Sequence, residues 1–474
     1  MHSTEFDLIV LGGGAVGENV ADRAVQGGLS VVLVENELVG GECSYWACMP
    51  SKALLRSGQV LRTAQRVPGA AQAVTGELDV DAVLARRNSF TSNWSDAGQA
   101  KWLTKAGIEL VRGHGRITAP REVTVTAADG TITVLTARHA VSVTTGSSAL
   151  IPDIDGLRES TPWTSREATS TQTVPRSLAI IGGGVVAAEM ATAFASFGTD
   201  VTLIARSGML TELEPFAGEL VVKALRKQGA TVLLNTSTIG VKRTGAGVEV
   251  RTGDGQTIRA EEVLVAAGRT PQTGDIGLDA IGLTPGQWLD TDDTMLVRGY
   301  DWLYAAGDVT RRALLTHQGK YQARASGDVI AARATGKPVS DAAWGTHVAT
   351  ADHEAVPQVT FTDPEVASVG LTAEGAQAAG YNVRAVDYKI GHVAGASLRE
   401  DGYAGMARMV VDEDRKVVLG VTFVGPDVSE LLQAATVAIV GEVPLDRLWH
   451  AVPAYPTVNE IWLRLLETYG RPAA

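Results

Sequence analysis

Cys43 and Cys48 are the only cysteines in the 474-residue chain, and they lie five positions apart in GGECSYWACMPSK, residues 40–52. Two thiols so close in sequence can cycle between dithiol and disulfide. Their spacing sets a geometric condition. Five residues of regular helix rise about 7.5 Å, whereas a disulfide needs Cα atoms within about 7 Å. The segment must therefore bend or tighten between the two thiols, and a bond closed under that constraint is easily reduced. One pair of cysteines is no disulfide scaffold for a chain this long. The eight histidines are scattered, without zinc spacing. The plain alternative is two inert buried thiols, and what precedes the pair argues against it.

An internal repeat stands upstream. FDLIVLGGGAVGENVADRAVQGGLSVVLVEN from Phe6 matches SLAIIGGGVVAAEMATAFASFGTDVTLIARS from Ser177, with the glycines offset by 170 residues. Each copy reads as an apolar strand, a Gly-rich turn, a helix of about four turns and a second apolar strand. Gly12, Gly14 and Gly17 make one G-x-G-x-x-G; Gly182, Gly184 and Ala187 make its G-x-G-x-x-A variant. Such glycines let the backbone turn sharply and approach a pyrophosphate, which the helix N-terminus then faces. A single copy is weak evidence, but two copies, each between a strand and a helix, predict two dinucleotide sites.

The repeat also compares the ends of the second strands. Glu35 stands 23 residues after Gly12, where a carboxylate accepts from a ribose 2′-hydroxyl. Its counterpart is Ala205, followed by Arg206. A guanidinium there suits a 2′-phosphate, so the second site leans towards NADPH over NADH. The alternative is a solvated Arg at a strand end. The cysteine segment follows the first unit directly, which puts both thiols beside the first nucleotide.

Composition sets the surroundings. The net charge is −12, with 45% hydrophobic and 20% charged residues and 52 glycines. This is the profile of a globular enzyme of about three domains. An acidic surface repels nucleic acid and anionic membranes, so neither is an expected partner. The N-terminus has no charged region leading into a cleavage site, and no apolar run approaches the ~18 residues of a membrane span. The expected compartment is the cytoplasm.

With these motifs the chain resembles the class I pyridine nucleotide–disulfide oxidoreductases, a family that includes dihydrolipoamide dehydrogenase, glutathione reductase, mercuric reductase and soluble transhydrogenase. The resemblance spans nearly the whole sequence. It extends to Thr145-Gly146-Ser147, Ala267-Gly268-Arg269-Thr270-Pro271, Tyr304-Ala305-Ala306-Gly307-Asp308 and FTDPEVASVGLT from Phe361. It implies an α/β fold with two Rossmann-like dinucleotide-binding domains and a C-terminal α/β dimerisation domain. It also implies FAD as cofactor, a homodimer with the active site across its interface, and a small-molecule electron acceptor. Glu35 and Asp308 would bind FAD, together with Gly41 of the cysteine segment, Thr145, Gly146, Gly268, Arg269 and Gly307. Lys52 and Glu189 would pair near the flavin and nicotinamide. Cys48 would be the thiol nearest the flavin, and Cys43 the exchange thiol.

The sequence departs from the family at one telling place. Disulfide-reducing members end in His-Pro-Thr-x-x-Glu, whose His moves protons to and from the exchange thiol. Here the stretch reads Tyr455-Pro456-Thr457-Val458-Asn459-Glu460. A histidine titrates near ~6.5 and a tyrosine near ~10, so Tyr455 is a poor base at neutral pH. Tyr455 and Glu460 keep a catalytic place on the thiol side. His450 is an alternative base, although Pro453 and Pro456 hide its direction; His317 and His353 lack any such context. Tyr45-Trp46 with Tyr455-Pro456-Thr457 is most similar to the transhydrogenases, which generally lack the second cysteine. The C-terminal cysteine pair usual in mercuric reductases is missing, which disfavours mercury.

The expected segments are 1–150 and 271–345 for the FAD domain, 151–270 for the NAD(P) domain and 346–474 for dimerisation. Three functions stay open: a dithiol–disulfide reductase, a flavin-level NAD(P)H dehydrogenase, diaphorase or transhydrogenase, and a non-catalytic redox sensor.

Overall fold

The computed structural model describes residues 4–471. Contacts divide the chain into two compact units. One comprises residues to Pro50, Asn88–Ala149 and Arg269–His353; the other comprises Ser51–Arg87, Leu150–Gly268 and residues from Glu354.

In the first unit, strand Glu5–Leu11 runs parallel to Val31–Glu35 and to Ile132–Val143. Ile108–Arg112 extends the sheet beyond Val31–Glu35, and Leu303–Ala305 pairs parallel with Ile132–Val143. The alternation of side chains explains why these strands read as continuous apolar runs. Ile9, Leu11, Val32 and Val34 point into one buried cluster, and Leu8, Val10, Val31 and Leu33 into another. A parallel sheet buried on both faces needs apolar residues at every position.

The second unit repeats the pattern. Parallel strands Thr231–Leu233, Asp200–Ile204, Ser177–Ile181 and Glu262–Val265 lie in that order. Leu178 and Ile180 enter one cluster, Ala179 and Ile181 another. A five-stranded antiparallel sheet completes the unit, in the order Gln358–Thr360, Glu365–Gly370, Val417–Gly425, Met406–Asp412 and Val383–Lys389. This is the expected α/β class with two Rossmann-like sheets.

Each Gly-rich turn leads into a helix, Ala15–Gln26 in the first copy and Val185–Ser196 in the second. Both have 12 residues, a little over three turns rather than the four expected. Each stops where a glycine takes a positive φ, Gly28 at +97° and Gly198 at +86°. Two glycines of the first turn tolerate no side chain. Gly12 has φ +98°, and a Cβ there would lie 2.6 Å from the Thr144 carbonyl oxygen. A Cβ on Gly17 would lie 2.0 Å from the Gly12 carbonyl oxygen. Among the described residues no helix is long and apolar enough to cross a membrane.

These contacts separate two glycine substitutions. Gly17→Ala is expected to cost about 2–3 kcal/mol through overpacking of backbone against backbone. Gly184→Ala, where a Cβ meets nothing within 4 Å, is expected to cost under about 1 kcal/mol. Urea unfolding of both variants measures the difference, and equal losses would contradict the packing account.

Candidate active site

The cysteine segment is tied to the first Gly-rich turn by backbone. The Gly40 amide donates to the Gly13 carbonyl at 2.8 Å. A Cβ on Gly41, at φ +57°, would come within 2.9 Å of Gly14 Cα. From there helix Gly41–Tyr45 carries Cys43, and helix Cys48–Arg66 begins at the second thiol. Between them Trp46 leaves helical geometry, at φ −135° and ψ −4°. The required bend is therefore present. Tyr45, 1% exposed, anchors it: the hydroxyl donates to the Val39 carbonyl, and its own carbonyl accepts from Trp94 Nε1.

Both cysteines are thiols, partly buried and hydrogen-bonded to each other. Thr316 Oγ1 lies 3.2 Å from Cys48 Sγ. The Cys43 thiol is pushed well above its usual value, first by its hydrogen bond with Cys48 and then by burial; Thr316 and Lys320 oppose the shift. The pair accordingly gives up its two protons in separate steps, the second against the charge left by the first.

The first turn fits a dinucleotide. Glu35 is 7% exposed at the strand end. One carboxylate oxygen accepts from the Gly13 amide at 2.6 Å and the other from the Glu37 amide at 2.7 Å. Burial pushes this carboxyl up, and the two amides and Arg112 pull it down. Thr145 Oγ1 is buried with no hydrogen-bond partner, beside Gly12. A Cβ on Gly14 would approach nothing closer than 4.0 Å, so the turn is open on that side. Asp308 accepts from Ser147 Oγ, and Arg269 donates to both the hydroxyl and the carbonyl of Ser147 at 2.6 Å. The Gly307 amide donates to Gln322. Asp308, Arg269 and Ser147 thus form one network, and Gly307 beside Asp308 is held separately by Gln322.

In the second unit Lys52 and Glu189 meet. Lys52 Nζ lies 3.0 and 2.8 Å from the two Glu189 oxygens, and the Phe361 amide donates to the same carboxylate at 3.0 Å. Lys52 also sits over the Phe361 ring, 4.8 Å from its centre. Glu189 is 3% exposed, in the helix that follows Gly182 and Gly184. Gly182 has φ +140°, and Ala187 is buried where the first copy has Gly17. Ala205 is buried and Arg206 exposed. At the far end of the chain Tyr455 is 76% exposed. Glu460 is 5% exposed; one carboxylate oxygen is buried without a hydrogen-bond partner, and the other lies 3.7 Å from Arg464. His450 is exposed, and His353 contacts Asp293 at 2.8 Å.

Sequence reasoning quoted Ser147 within a motif without giving it a role, and missed Thr316, Gln322, Lys320 and Glu18. Glu18 lies in the helix after the first turn, and burial raises its carboxyl from 4.5 to about 7. Thr316, Lys320 and Gln322 share the helix Thr316–Thr335, which follows the Gly307-Asp308 motif. No local pattern linked it to a thiol 268 positions away.

With this geometry in place, comparison with known proteins is direct. Residues 6–326 match the pyridine nucleotide-disulphide oxidoreductase model, and residues 356–465 match the dimerisation domain of the same family. A dihydrolipoyl dehydrogenase of Zymomonas mobilis is 30% identical, over 98% of this chain and 98% of its own. A mercuric reductase of Shigella flexneri is 33% identical, over 99% of this chain and 82% of its own. The structure of LpdA from Mycobacterium tuberculosis superposes with TM-score 0.82 at 24% identity, covering 99% of this chain and 100% of that one. The Cu(II) complex of the HOCl-induced flavoprotein disulfide reductase RclA from Escherichia coli does so with TM-score 0.82 at 21% identity, covering 98% and 99%. The last two likenesses concern the fold. The chain belongs to the pyridine nucleotide-disulphide oxidoreductase family. It is an FAD-dependent oxidoreductase that uses a pyridine nucleotide, and its dimerisation domain supports a homodimer.

Glu18 generates a pH prediction. Its folded value lies above the unfolded one, so the stability tied to its protonated form is full below 4.5 and is lost as pH rises through about 7. Glu18→Gln is expected to gain about 3 kcal/mol over the wild type between pH 5 and pH 8. Denaturant unfolding of both proteins at the two pH values measures this, and a pH-independent difference would overturn it.

Proposed function

We propose that the protein passes electrons from NADPH through the Cys43–Cys48 pair to a small disulfide acceptor in the cytoplasm. The observation that carries this reading is the bent segment that brings the two thiols into hydrogen-bond contact beside the first nucleotide turn. FAD, when bound, accepts a hydride from reduced nicotinamide and passes the electron pair on.

Each group then has a role. Gly12, Gly14, Gly17 and Gly41 leave room for the FAD pyrophosphate, and Glu35 receives the adenosine ribose. Thr145 Oγ1 supplies a hydrogen bond it does not otherwise make, with Gly146 beside it. Gly307 and Asp308 hold the ribityl side, supported by Arg269, which follows Gly268. Gly182, Gly184 and Ala187 take the nicotinamide nucleotide, and exposed Arg206 pairs with its 2′-phosphate. Lys52 and Glu189 orient the nicotinamide side; the Phe361 amide and Lys52 hold the carboxylate in place.

At the thiols, two electrons and two protons convert the Cys43–Cys48 disulfide into the dithiol. Cys48, steadied by Thr316, is the inner thiol. Cys43 attacks the acceptor disulfide; the acceptor S–S bond breaks and its leaving sulfur takes up a proton. Cys48 then displaces the second acceptor thiol and restores the disulfide. Segments 1–150 and 271–345 serve FAD, 151–270 serves NADPH and 346–474 pairs the subunits. The partnerless oxygen of buried Glu460 supports a place for it and Tyr455 at the interface.

A second reading rests on Tyr455, which is a poor base in the place of a histidine. In it electrons leave at the flavin, to a quinone-like acceptor or to NAD+.

Anaerobic NADPH titration of the holoenzyme distinguishes the two. The dithiol reading expects a long-wavelength absorbance band and two new thiols per subunit on two-electron reduction. It also expects Cys48→Ser to lose disulfide reduction by at least about a hundredfold. Full quinone activity in Cys48→Ser with no disulfide activity in the wild type would favour exit at the flavin. Arg206→Ala is expected to raise KM for NADPH about tenfold and to leave that for NADH unchanged; equal effects on both would remove the 2′-phosphate role.

A further inference from the structure

One helical turn beyond the hydroxyl that touches Cys48 stands a cation, Lys320, with no role in the proposed exchange. Thr316, whose hydroxyl lies 3.2 Å from Cys48 Sγ, opens helix Thr316–Thr335. Lys320 follows one turn later and therefore stands on the same face. That helix packs closely against Ala15–Gln26. A Cβ on Gly319 would lie 2.7 Å from Val16 Cγ2, and one on Gly327 would lie 2.6 Å from Arg23 Cβ. Two residues beyond Val16 is Glu18, which with Asn19, Gly98, Gln99 and Trp102 lines a cleft of about 320 Å³. The Lys320 ammonium acts on both groups, favouring the ionised Cys43 thiol and the ionised Glu18 carboxyl.

We propose that Lys320 is a positioning residue for thiol exchange: it stands one helical turn from Thr316, on the helix face that touches Cys48 and in a helix packed against the one that carries Glu18, and it lends positive charge to the exchange thiol in competition with the Glu18 carboxyl. The proposal rests on the reading of Cys43 as the exchange thiol. It answers the loss of the histidine at Tyr455, because an imidazolium beside a thiol does two things. It moves a proton and it supplies positive charge; Lys320 supplies the second.

The charged surroundings give the sign. Cys43 is faced by Cys48, Thr316 and Lys320, with Glu42 adjacent in its own helix. Glu18 is faced by Lys320 from one side, Glu35 from the strand end and Tyr45 from the cysteine helix. As pH falls through about 7 the Glu18 carboxyl takes up a proton and competes less for the Lys320 charge. Above that, the carboxylate offsets the ammonium, and Cys43 gains less from it.

The test follows Cys43 alkylation by iodoacetamide in the anaerobically reduced holoenzyme, from about pH 6 to 9, with flavin absorbance confirming FAD retention. Lys320→Met is expected to move the alkylation midpoint up by about one pH unit, making Cys43 about tenfold less reactive at pH 7. Lys320→Arg is expected to restore the wild-type profile, and Glu18→Gln to raise reactivity about threefold at pH 8. Superimposed profiles for wild type and Lys320→Met overturn the proposal, as does a Lys320→Arg profile matching Lys320→Met. Reduction with NADPH and, separately, with dithiothreitol keeps two failures apart. If NADPH yields no thiols, the dithiol reading fails, while the profiles after dithiothreitol still decide the role of Lys320.

Discussion

The close approach of two backbones, at Gly13–Gly14 and Gly40–Gly41, is the constraint on which the site depends. The Glu35 carboxylate bonds the Gly13 amide, the Gly13 carbonyl accepts from Gly40, and Gly14 leaves no room for a side chain on Gly41. One nucleotide turn, one strand end and one cysteine helix are thereby held as a single piece. A carboxylate buried at a strand end is costly unless donors surround it, and the turn provides them. The same amides shape the surface that a dinucleotide must fit, so the stability of the turn and its binding role have a common source.

The thiols inherit their properties from that arrangement. Because the helix breaks at Trp46, Cys43 and Cys48 meet instead of pointing along one axis. Their contact couples their protons, and the charge around them then decides which form reacts. Thr316 and Lys320 come from a helix much later in the chain. The strand Leu303–Ala305, parallel to Ile132–Val143, leads into that helix through the Gly307-Asp308 turn. The sheet thus delivers a hydroxyl to a thiol nearly 270 residues upstream. In the other unit the buried Glu189 carboxylate is matched by Lys52 and the Phe361 amide, a fully partnered arrangement that fixes the carboxylate's direction.

Much of this protein was legible along the chain. Apolar runs, Gly-rich turns, the offset repeat, the cysteine spacing and Tyr455 in place of a histidine are local facts. Their physical meaning depends on a few neighbouring residues: turns need glycine, doubly buried strands need apolar residues at every position, and a C-x4-C pair needs a bend. The helix lengths were overread by a turn's fraction because Gly28 and Gly198 stop them, and a glycine can end a helix or merely weaken it. Apart from the Lys52–Glu189 pair that the family resemblance implied, the chain alone left open the contacts made across sheet topology. Ser147 joining Arg269 to Asp308, Gln322 holding Gly307, Thr316 on Cys48 and Lys320 near Cys43 and Glu18 involve residue types common on any surface. The tertiary structure decided them, because only strand order sets which distant side chains share a dielectric and a hydrogen bond.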